Sequence, residues 1–130
     1  EIENYLNKTL DNTISIFDTK SHDEKKEYAY HMFLTGVLST NPNWIVKSNI
    51  ESGDGLADII IEIDHYDSGI VVEIKHSLTY DGLNDSCLEA INQIKDKRYD
   101  TYLRNEERND ILIYGIAFCK KRCKVVVEKL

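Results

Sequence analysis

Apolar residues recur at three- and four-residue spacings in three stretches of the chain, and each stretch predicts a helix. The first lies in residues 1–17. The second is expected over residues 24–40, with Glu27, His31, Leu34 and Leu38 on one core-facing stripe and the acidic Glu27 at its head. The third is a long helix over residues 84–106, and Gln93 lies on the flank of its apolar stripe. That stripe consists of Cys87, Ala90, Ile91 and Ile94.

Short apolar runs bounded by turn residues predict five strands. Their ranges are 44–50, 56–63, 70–74, 111–118 and 125–128. The second and third form a hairpin, because the turn between them contains Asp, Ser and Gly. The order of elements predicts an α/β fold with a mixed central sheet flanked by helices. Its first three strands form an antiparallel meander, and the strand after the long helix joins them in parallel.

Three charged side chains converge at one end of this otherwise apolar hairpin. A loop centred near Tyr66 places Asp58 directly opposite Glu73 or one register step away. Side chains alternate between the two faces of a strand, so Glu73 and Lys75 point to one face and Ile74 to the other. Two carboxylates and an ammonium group at one place indicate a chemical site. A turn cap beside a surface ion pair is the plainer alternative.

Composition narrows the possible classes of protein. At 130 residues the chain is large enough for one domain with a single core. The formal charge of −7 argues against tight nucleic-acid binding through bulk electrostatics, although a locally basic groove remains possible. The three cysteines match no zinc-site spacing and are expected to be reduced thiols in a cytoplasmic protein. The first ten residues, EIENYLNKTL, are not expected to act as a signal peptide, and no apolar run reaches membrane-spanning length.

Five segments, taken in order, resemble the PD-(D/E)XK nuclease superfamily. Asp58 followed by Glu73-Ile74-Lys75 matches its D…(D/E)-x-K signature, and the resemblance is closest to a bacterial branch found at the C-terminus of AAA-ATPase-like proteins. Leu56 and Ala57 depart from that branch, which usually has arginine and proline there. The matching segments are EYAYHMFL (27–34), SNIESGDGLAD (48–58), EIK (73–75), AINQIKDKRY (90–99) and GIAF (115–118).

The resemblance implies a restriction-endonuclease-like αβββαβ core in residues 21–130. Residues 1–20 are then an N-terminal helix and linker, expected to be the tail of a preceding region. The implied function is a metal-dependent nuclease that acts on DNA within a larger protein. The ATPase domain of that protein would lie outside this chain, which has no phosphate-binding P-loop.

The resemblance also assigns roles at the hairpin, and the chemistry of phosphodiester hydrolysis fits them. Asp58 and Glu73 would bind Mg²⁺ or Mn²⁺ together with the backbone carbonyl of Ile74, because hard cations prefer oxygen ligands. Glu27 could bind a second metal or a water on it. Lys75 would orient or activate the attacking water and stabilise the developing negative charge.

Residues outside the hairpin receive roles from the same resemblance. Gln93 and Tyr99 would reach the site from the long helix and orient Lys75 or the phosphate. The candidate nucleic-acid contacts are Lys95, Arg98, Tyr99, Lys120 and Lys121, although salt bridges within the helix would equally explain the first two. Two other functions remain open: a catalytically degenerate module that binds nucleic acid or protein, and a dimerisation domain with an exposed strand at 125–127. The oligomeric state, a homodimer included, is not determined.

Overall fold

The computed structural model describes residues 1–12 and 23–130, and most of the predicted linker lies outside these ranges. The chain forms four helices and five strands within them. The helices are α1 (Ile2–Asn12), α2 (Asp23–Leu38), α3 (Leu83–Asp96) and α4 (Thr101–Asn105). The strands are β1 (Trp44–Ser52), β2 (Gly55–Ile63), β3 (Ser68–His76), β4 (Asp110–Cys119) and β5 (Arg122–Lys129).

The five strands form one mixed sheet in the order β1-β2-β3-β4-β5. β1, β2 and β3 are an antiparallel meander, β4 joins β3 in parallel, and β5 returns antiparallel to β4. The predicted meander and the parallel placement of the strand after the long helix are therefore confirmed. Every strand extends beyond its apolar run, because the ladder hydrogen bonds continue through polar residues such as Lys75 and Lys124.

Helices cover both faces of the sheet and divide the core into two halves. α1 and α2 pack on one face, where Leu6, Leu10 and Leu34 are fully buried. α3 and α4 pack on the other, around Ile94 and Leu103. Of the stripe predicted for α2, only the second half is correct. Tyr30, Leu34 and Leu38 are buried, whereas Glu27 is exposed and His31 is half-buried.

The predicted single helix over 84–106 is wrong at residues 97–100, where the chain turns between α3 and α4. Arg98 has a positive φ of 53°. The Tyr99 N–H donates to the Ile94 carbonyl, and the Arg98 N–H donates to the Lys95 carbonyl. These two bonds define a Schellman C-cap, whose left-handed residue is usually glycine. Because arginine occupies that position here, the sequence carries no visible stop signal.

The turn between β1 and β2 docks onto this break. Ser52 Oγ donates to the Tyr99 carbonyl at 2.6 Å and accepts from the Tyr102 N–H at 2.9 Å. The Asp54 N–H donates to the Lys97 carbonyl, and its carboxylate forms a two-bond ion pair with Arg98. The turn therefore fixes the start of β2, and with it the approach to Asp58.

α1 covers part of the outer edge of β5. Asn7 accepts from the Cys123 N–H at 2.7 Å and donates to the Cys123 carbonyl at 3.2 Å. The Glu3 carboxylate accepts from the Val125 N–H at 2.8 Å. These side chains take the place of a neighbouring strand along that stretch of the edge. In the described part of the chain, no helix is long and apolar enough to cross a membrane.

Candidate active site

The site forms where β2 separates from β3. Their ladder pairs Ile59 with Val72, and its continuation would set Asp58 opposite Glu73, as the hairpin pattern predicts. Instead of another ladder bond, the Ile74 N–H donates to Asp58 Oδ2 at 2.8 Å. The N–H and C=O of one strand residue point toward the same neighbouring strand, so the Ile74 carbonyl lies on the edge of β3 that faces this gap.

The neighbouring strand β1 is distorted directly opposite Asp58. The register sets Ser48 against Ile59 and Ile50 against Ala57, which leaves Asn49 opposite Asp58 with a positive φ of 53°. Only a few per cent of residues other than glycine adopt this conformation, and asparagine is among the commonest of them. Asn49 belongs to the segment 48–58 that resembles the family, but no role at the site is predicted for it, because its residue type does not reveal its φ.

The distortion switches the facing of both strands at this point. Ser48 faces α2, whereas Ile50 packs against the α3 side of the core. On β2, Ala57 belongs to the α3 side and Ile59 to the α2 side. Asp58 is the residue between Ala57 and Ile59, at the point where the side chains change faces. Its carboxylate points along the sheet to the backbone of β3 and not into either half of the core.

Glu73 is a buried carboxyl group, with 2% of the residue exposed. Burial raises the pKa of Glu73 to about 10, and both the hydrogen bond to Asp58 and the negative charge of Asp58 contribute. Glu73 therefore holds a proton at neutral pH and shares it with the Asp58 carboxylate. Its second oxygen, Oε2, is buried and has no hydrogen-bond partner in the described residues. An unpartnered buried oxygen is costly in a stable core and is typical of a ligand site.

Lys75 is held by a chain of side chains from α3 and the turn that follows it. Its Nζ donates to Gln93 Oε1 at 2.5 Å, and Gln93 Nε2 donates to the Tyr99 hydroxyl at 3.1 Å. Gly55 lies against Tyr99, where an added Cβ would be only 3.2 Å from the hydroxyl oxygen. The structure thus brings Gln93 and Tyr99 to Lys75, as the family resemblance implies.

Glu27 approaches the same site from α2. Partial burial and the negative charge of Asp58 raise the pKa of Glu27, while the positive charge of Lys75 lowers it. One helical turn further on, His31 Nε2 lies 2.6 Å from Ser48 Oγ, next to the distorted Asn49. The α2 side of the site therefore carries an acid and a hydrogen-bonded histidine–serine pair.

The predicted phosphate contacts lie in different environments. Lys95 forms an ion pair with Glu128 at 2.5 Å, and Arg98 forms one with Asp54 at 2.7 Å. Lys120 and Lys121 lie in the turn between β4 and β5, where Lys120 Nζ is 5.9 Å from the centre of the Tyr80 ring. Tyr99 is buried. A nucleic-acid contact by any of these residues stays a prediction.

The donor atoms at the gap fit a hard divalent cation. Within residues 1–12 and 23–130, no three His, Cys, Asp or Glu side chains group closely enough to hold a metal, so a ligand role for Glu27 stays a prediction. Asp58 and Glu73 do converge, and Glu73 Oε2 is buried there without a hydrogen-bond partner. The Ile74 carbonyl lies on the side of β3 whose N–H donates to Asp58. Mg²⁺ commonly binds through one or two carboxylates and keeps several waters. Loss of the shared proton would provide two negative charges for the ion.

A mixed α/β sheet that carries Asp and Glu-x-Lys on adjacent strands, where those strands part, defines a restriction-endonuclease-like nuclease domain. The model of the PD-(D/E)XK nuclease superfamily matches residues 25–128, and the chain belongs to this superfamily. The match runs from the start of α2 through β5. No curated protein and no solved structure matches the chain.

Proposed function

We propose that the chain is a metal-dependent nuclease domain that hydrolyses phosphodiester bonds in DNA. One observation carries the proposal. Asp58 and Glu73 form a carboxyl pair in which Glu73 Oε2 is buried without a hydrogen-bond partner, and the ammonium group of Lys75 interacts electrostatically with Glu73. A structural ion pair would satisfy these groups, whereas this arrangement keeps a carboxyl oxygen available and holds the lysine by a separate amide.

The side chains divide the work of hydrolysis among them. A bound Mg²⁺ or Mn²⁺ ion supplies charge neutralisation for the phosphate and makes water easier to deprotonate. Asp58 and Glu73 would hold that ion, with Glu73 in its deprotonated form. Lys75 presents a positive charge to the reacting phosphate and orients the attacking water. Gln93, steadied by Tyr99, fixes the direction of the lysine ammonium, which keeps the site ready for reaction.

The wider context rests on the sequence segments rather than on the site. The segments resemble the branch that accompanies AAA-ATPase-like proteins, so we place the domain in a larger protein of that kind, with DNA as its substrate. The three cysteines are reduced thiols, which favours a cytoplasmic location.

A degenerate module that keeps the fold but not the reaction is the second candidate. Leu56 is 55% exposed at the position where that branch usually has arginine, so a cation is missing near Asp58. Such a module would bind nucleic acid or a protein partner and would have no reason to bind a divalent metal at Asp58 and Glu73.

Metal binding and cleavage, measured in parallel, separate the two candidates. Mn²⁺ is titrated by calorimetry into the wild type and Asp58→Ala, with Asp85→Asn as the control because Asp85 is an exposed acid on α3. Linear and supercoiled DNA are incubated with each protein and metal. We expect binding and cleavage in the wild type and the control, and loss of both in Asp58→Ala. A wild type that binds no Mn²⁺ at millimolar concentration would exclude the nuclease proposal.

A further inference from the structure

A cavity of about 290 Å³ opens at the end of the sheet where the parallel strands β3 and β4 finish. The loop that forms it, residues 77–82, begins two residues after Lys75 and continues the ladder through a bond from the Ser77 N–H to the Phe118 carbonyl. The cavity therefore lies at the same end of the strands as the candidate active site. Its lining consists of Leu78, Thr79, Tyr80, Asp81, Cys119 and Lys120.

Two cations are arranged around an aromatic ring beside this cavity. Lys120 Nζ lies 5.9 Å and Arg122 Cζ lies 5.2 Å from the centre of the Tyr80 ring. A ring attracts a cation without neutralising it, so both positive charges remain available to an anion. This differs from Lys95 and Arg98, which carboxylates neutralise at 2.5 and 2.7 Å.

The turn that carries these cations is held in place. Lys120 has a positive φ of 53°, and its carbonyl accepts from the Tyr30 hydroxyl at 2.9 Å. Tyr30 is fully buried and stacks on Phe118, with ring centres 4.6 Å apart. The basic turn is therefore anchored to the core through α2, which limits the entropy lost when it binds a ligand.

Apolar side chains are exposed next to the cations. Leu78 is 74% exposed and Tyr80 is 48% exposed, and both lie in the loop that follows β3. Exposed aromatic and apolar groups beside cations are typical of proteins that bind single strands, because unpaired bases can stack on them. In a duplex the bases are paired and their faces are covered. Asp81 repels phosphate, so phosphates are restricted to the side of Lys120 and Arg122.

We propose that this surface, made by Leu78, Tyr80, Lys120 and Arg122, binds an unpaired DNA strand next to the scissile phosphate. A base packs against the apolar side chains, and the phosphates contact the two cations. The proposal rests on the proposed nuclease function and names its substrate class: single-stranded DNA, or an unpaired stretch of a longer molecule.

Binding without cleavage provides the first test. A fluorescently labelled 20-nucleotide DNA strand and its duplex are titrated in EDTA at several salt concentrations. We expect the single strand to bind more tightly, and Tyr80→Ala to weaken its binding by about fivefold or more. The double variant Lys120→Gln/Arg122→Gln should lower the salt slope by about 1.4, at about 0.7 for each lost phosphate contact. Circular dichroism melts confirm that these surface variants fold.

Matched controls are available at the opposite end of the strands. Tyr66 is a 68% exposed tyrosine in the turn between β2 and β3, and Lys129 forms a 3.5 Å pair with Asp110. Tyr66→Ala and Lys129→Gln should leave single-strand binding unchanged. Equal binding of strand and duplex, or equal effects of Tyr66→Ala and Tyr80→Ala, would overturn the proposal.

Cleavage with Mn²⁺ distinguishes failure of this inference from failure of the proposed function. Cleavage that depends on Asp58, prefers duplex and ignores Tyr80→Ala would overturn the single-strand surface and leave the nuclease in place. Single-strand binding that depends on Tyr80, in a protein that cleaves neither form, would support the surface and count against the nuclease.

Discussion

The proton on Glu73 links the candidate chemistry to the stability of the fold. A buried carboxyl with a pKa of about 10 is neutral at pH 7, and unfolding would release it to its ordinary pKa of 4.5. Its contribution to the free energy of unfolding is therefore complete below about pH 4.5 and is lost as the pH rises toward 10. The metal-free domain should lose stability across that whole range.

We expect Glu73→Gln to remove this dependence, because an amide donates to Asp58 at any pH. Its melting temperature should match that of the wild type near pH 5 and exceed it at pH 9. The difference in the free energy of unfolding at pH 9 should be on the order of a few kcal/mol. Mn²⁺ should raise the melting temperature of the wild type and not that of the variant. Glu89→Gln, an exposed acid on α3, is the control. Parallel pH curves for wild type and Glu73→Gln would contradict the protonated state.

Individual site residues differ in how far the sequence predicts them. Asp58, Glu73 and Lys75 follow from strand alternation and the hairpin register, because charged groups stand out in an apolar hairpin. Gln93 and Tyr99 came only from the family resemblance, since their meeting with Lys75 depends on how α3 packs on the sheet. Asn49 lies in a segment that resembles the family, yet its role is not predicted, because its distinguishing feature is a backbone angle.

Asn49 gives a test of that backbone angle. In Asn49→Ala the left-handed conformation should cost about 1–2 kcal/mol of stability, whereas Asn49→Gly should be close to neutral. If the distortion positions Asp58, Mn²⁺ affinity should fall in the alanine variant and recover in the glycine variant. Thermal melts and calorimetry measure the two effects. Equal stability of both variants would show that the angle is not strained.

The contact between the first turn of the sheet and the end of α3 tolerates no side chain at Gly53. Its φ is +59°, and an added Cβ would lie 2.2 Å from the Arg98 carbonyl oxygen. Gly53→Ala should lower the free energy of unfolding by about 3 kcal/mol, because the turn must leave its position. Gly36→Ala is the matched control. Gly36 lies within α2 with open space around it, so alanine should stabilise by about 0.5–1 kcal/mol in denaturant unfolding.

A Gly53→Ala variant as stable as the wild type would show that the turn does not dock on α3.

The structure around this contact explains why the helix boundary was predicted wrongly. Periodicity continues through residues 97–100 without glycine or proline, although a Schellman cap ends α3 with arginine at its left-handed position. The turn then docks just beyond the helix, where Asp54 and Ser52 donate to the carbonyls of Lys97 and Tyr99. These tertiary hydrogen bonds hold the break, and no local signal records them.

Hydrophobic spacing predicts the strands and most of the helices of the domain, because burial of apolar side chains dominates its stability. It does not predict that β4 pairs with β3 or that β5 forms the outer edge. The same spacing predicts α1 but not its place on the sheet. Asn7 and Glu3 reach backbone groups 116 and 122 residues away, and such pairings leave no local pattern. The predicted domain boundary at residue 20 lies outside the described ranges and stays a prediction.

α1 should contribute strongly to the stability of the domain. Leu6 is fully buried, so Leu6→Ala should cost about 2–5 kcal/mol through lost burial and the cavity left behind. Its neighbour Tyr5 is 58% exposed, and Tyr5→Ala should change stability by about 0.5 kcal/mol or less. Urea unfolding followed by circular dichroism compares the two. Equal midpoints for Leu6→Ala and wild type would show that α1 is not seated in the core.

The contacts between α1 and β5 impose an order on biosynthesis. The ribosome makes α1 before any of the sheet, yet Asn7 and Glu3 find their backbone partners only when Cys123 and Val125 have emerged. At about 5–20 residues per second, this separation leaves α1 without its final partner for several seconds. During that interval the apolar pocket for Leu6 and Leu10 is incomplete, because β5 forms part of it. These two side chains can therefore associate with other chains until the last strand has been made.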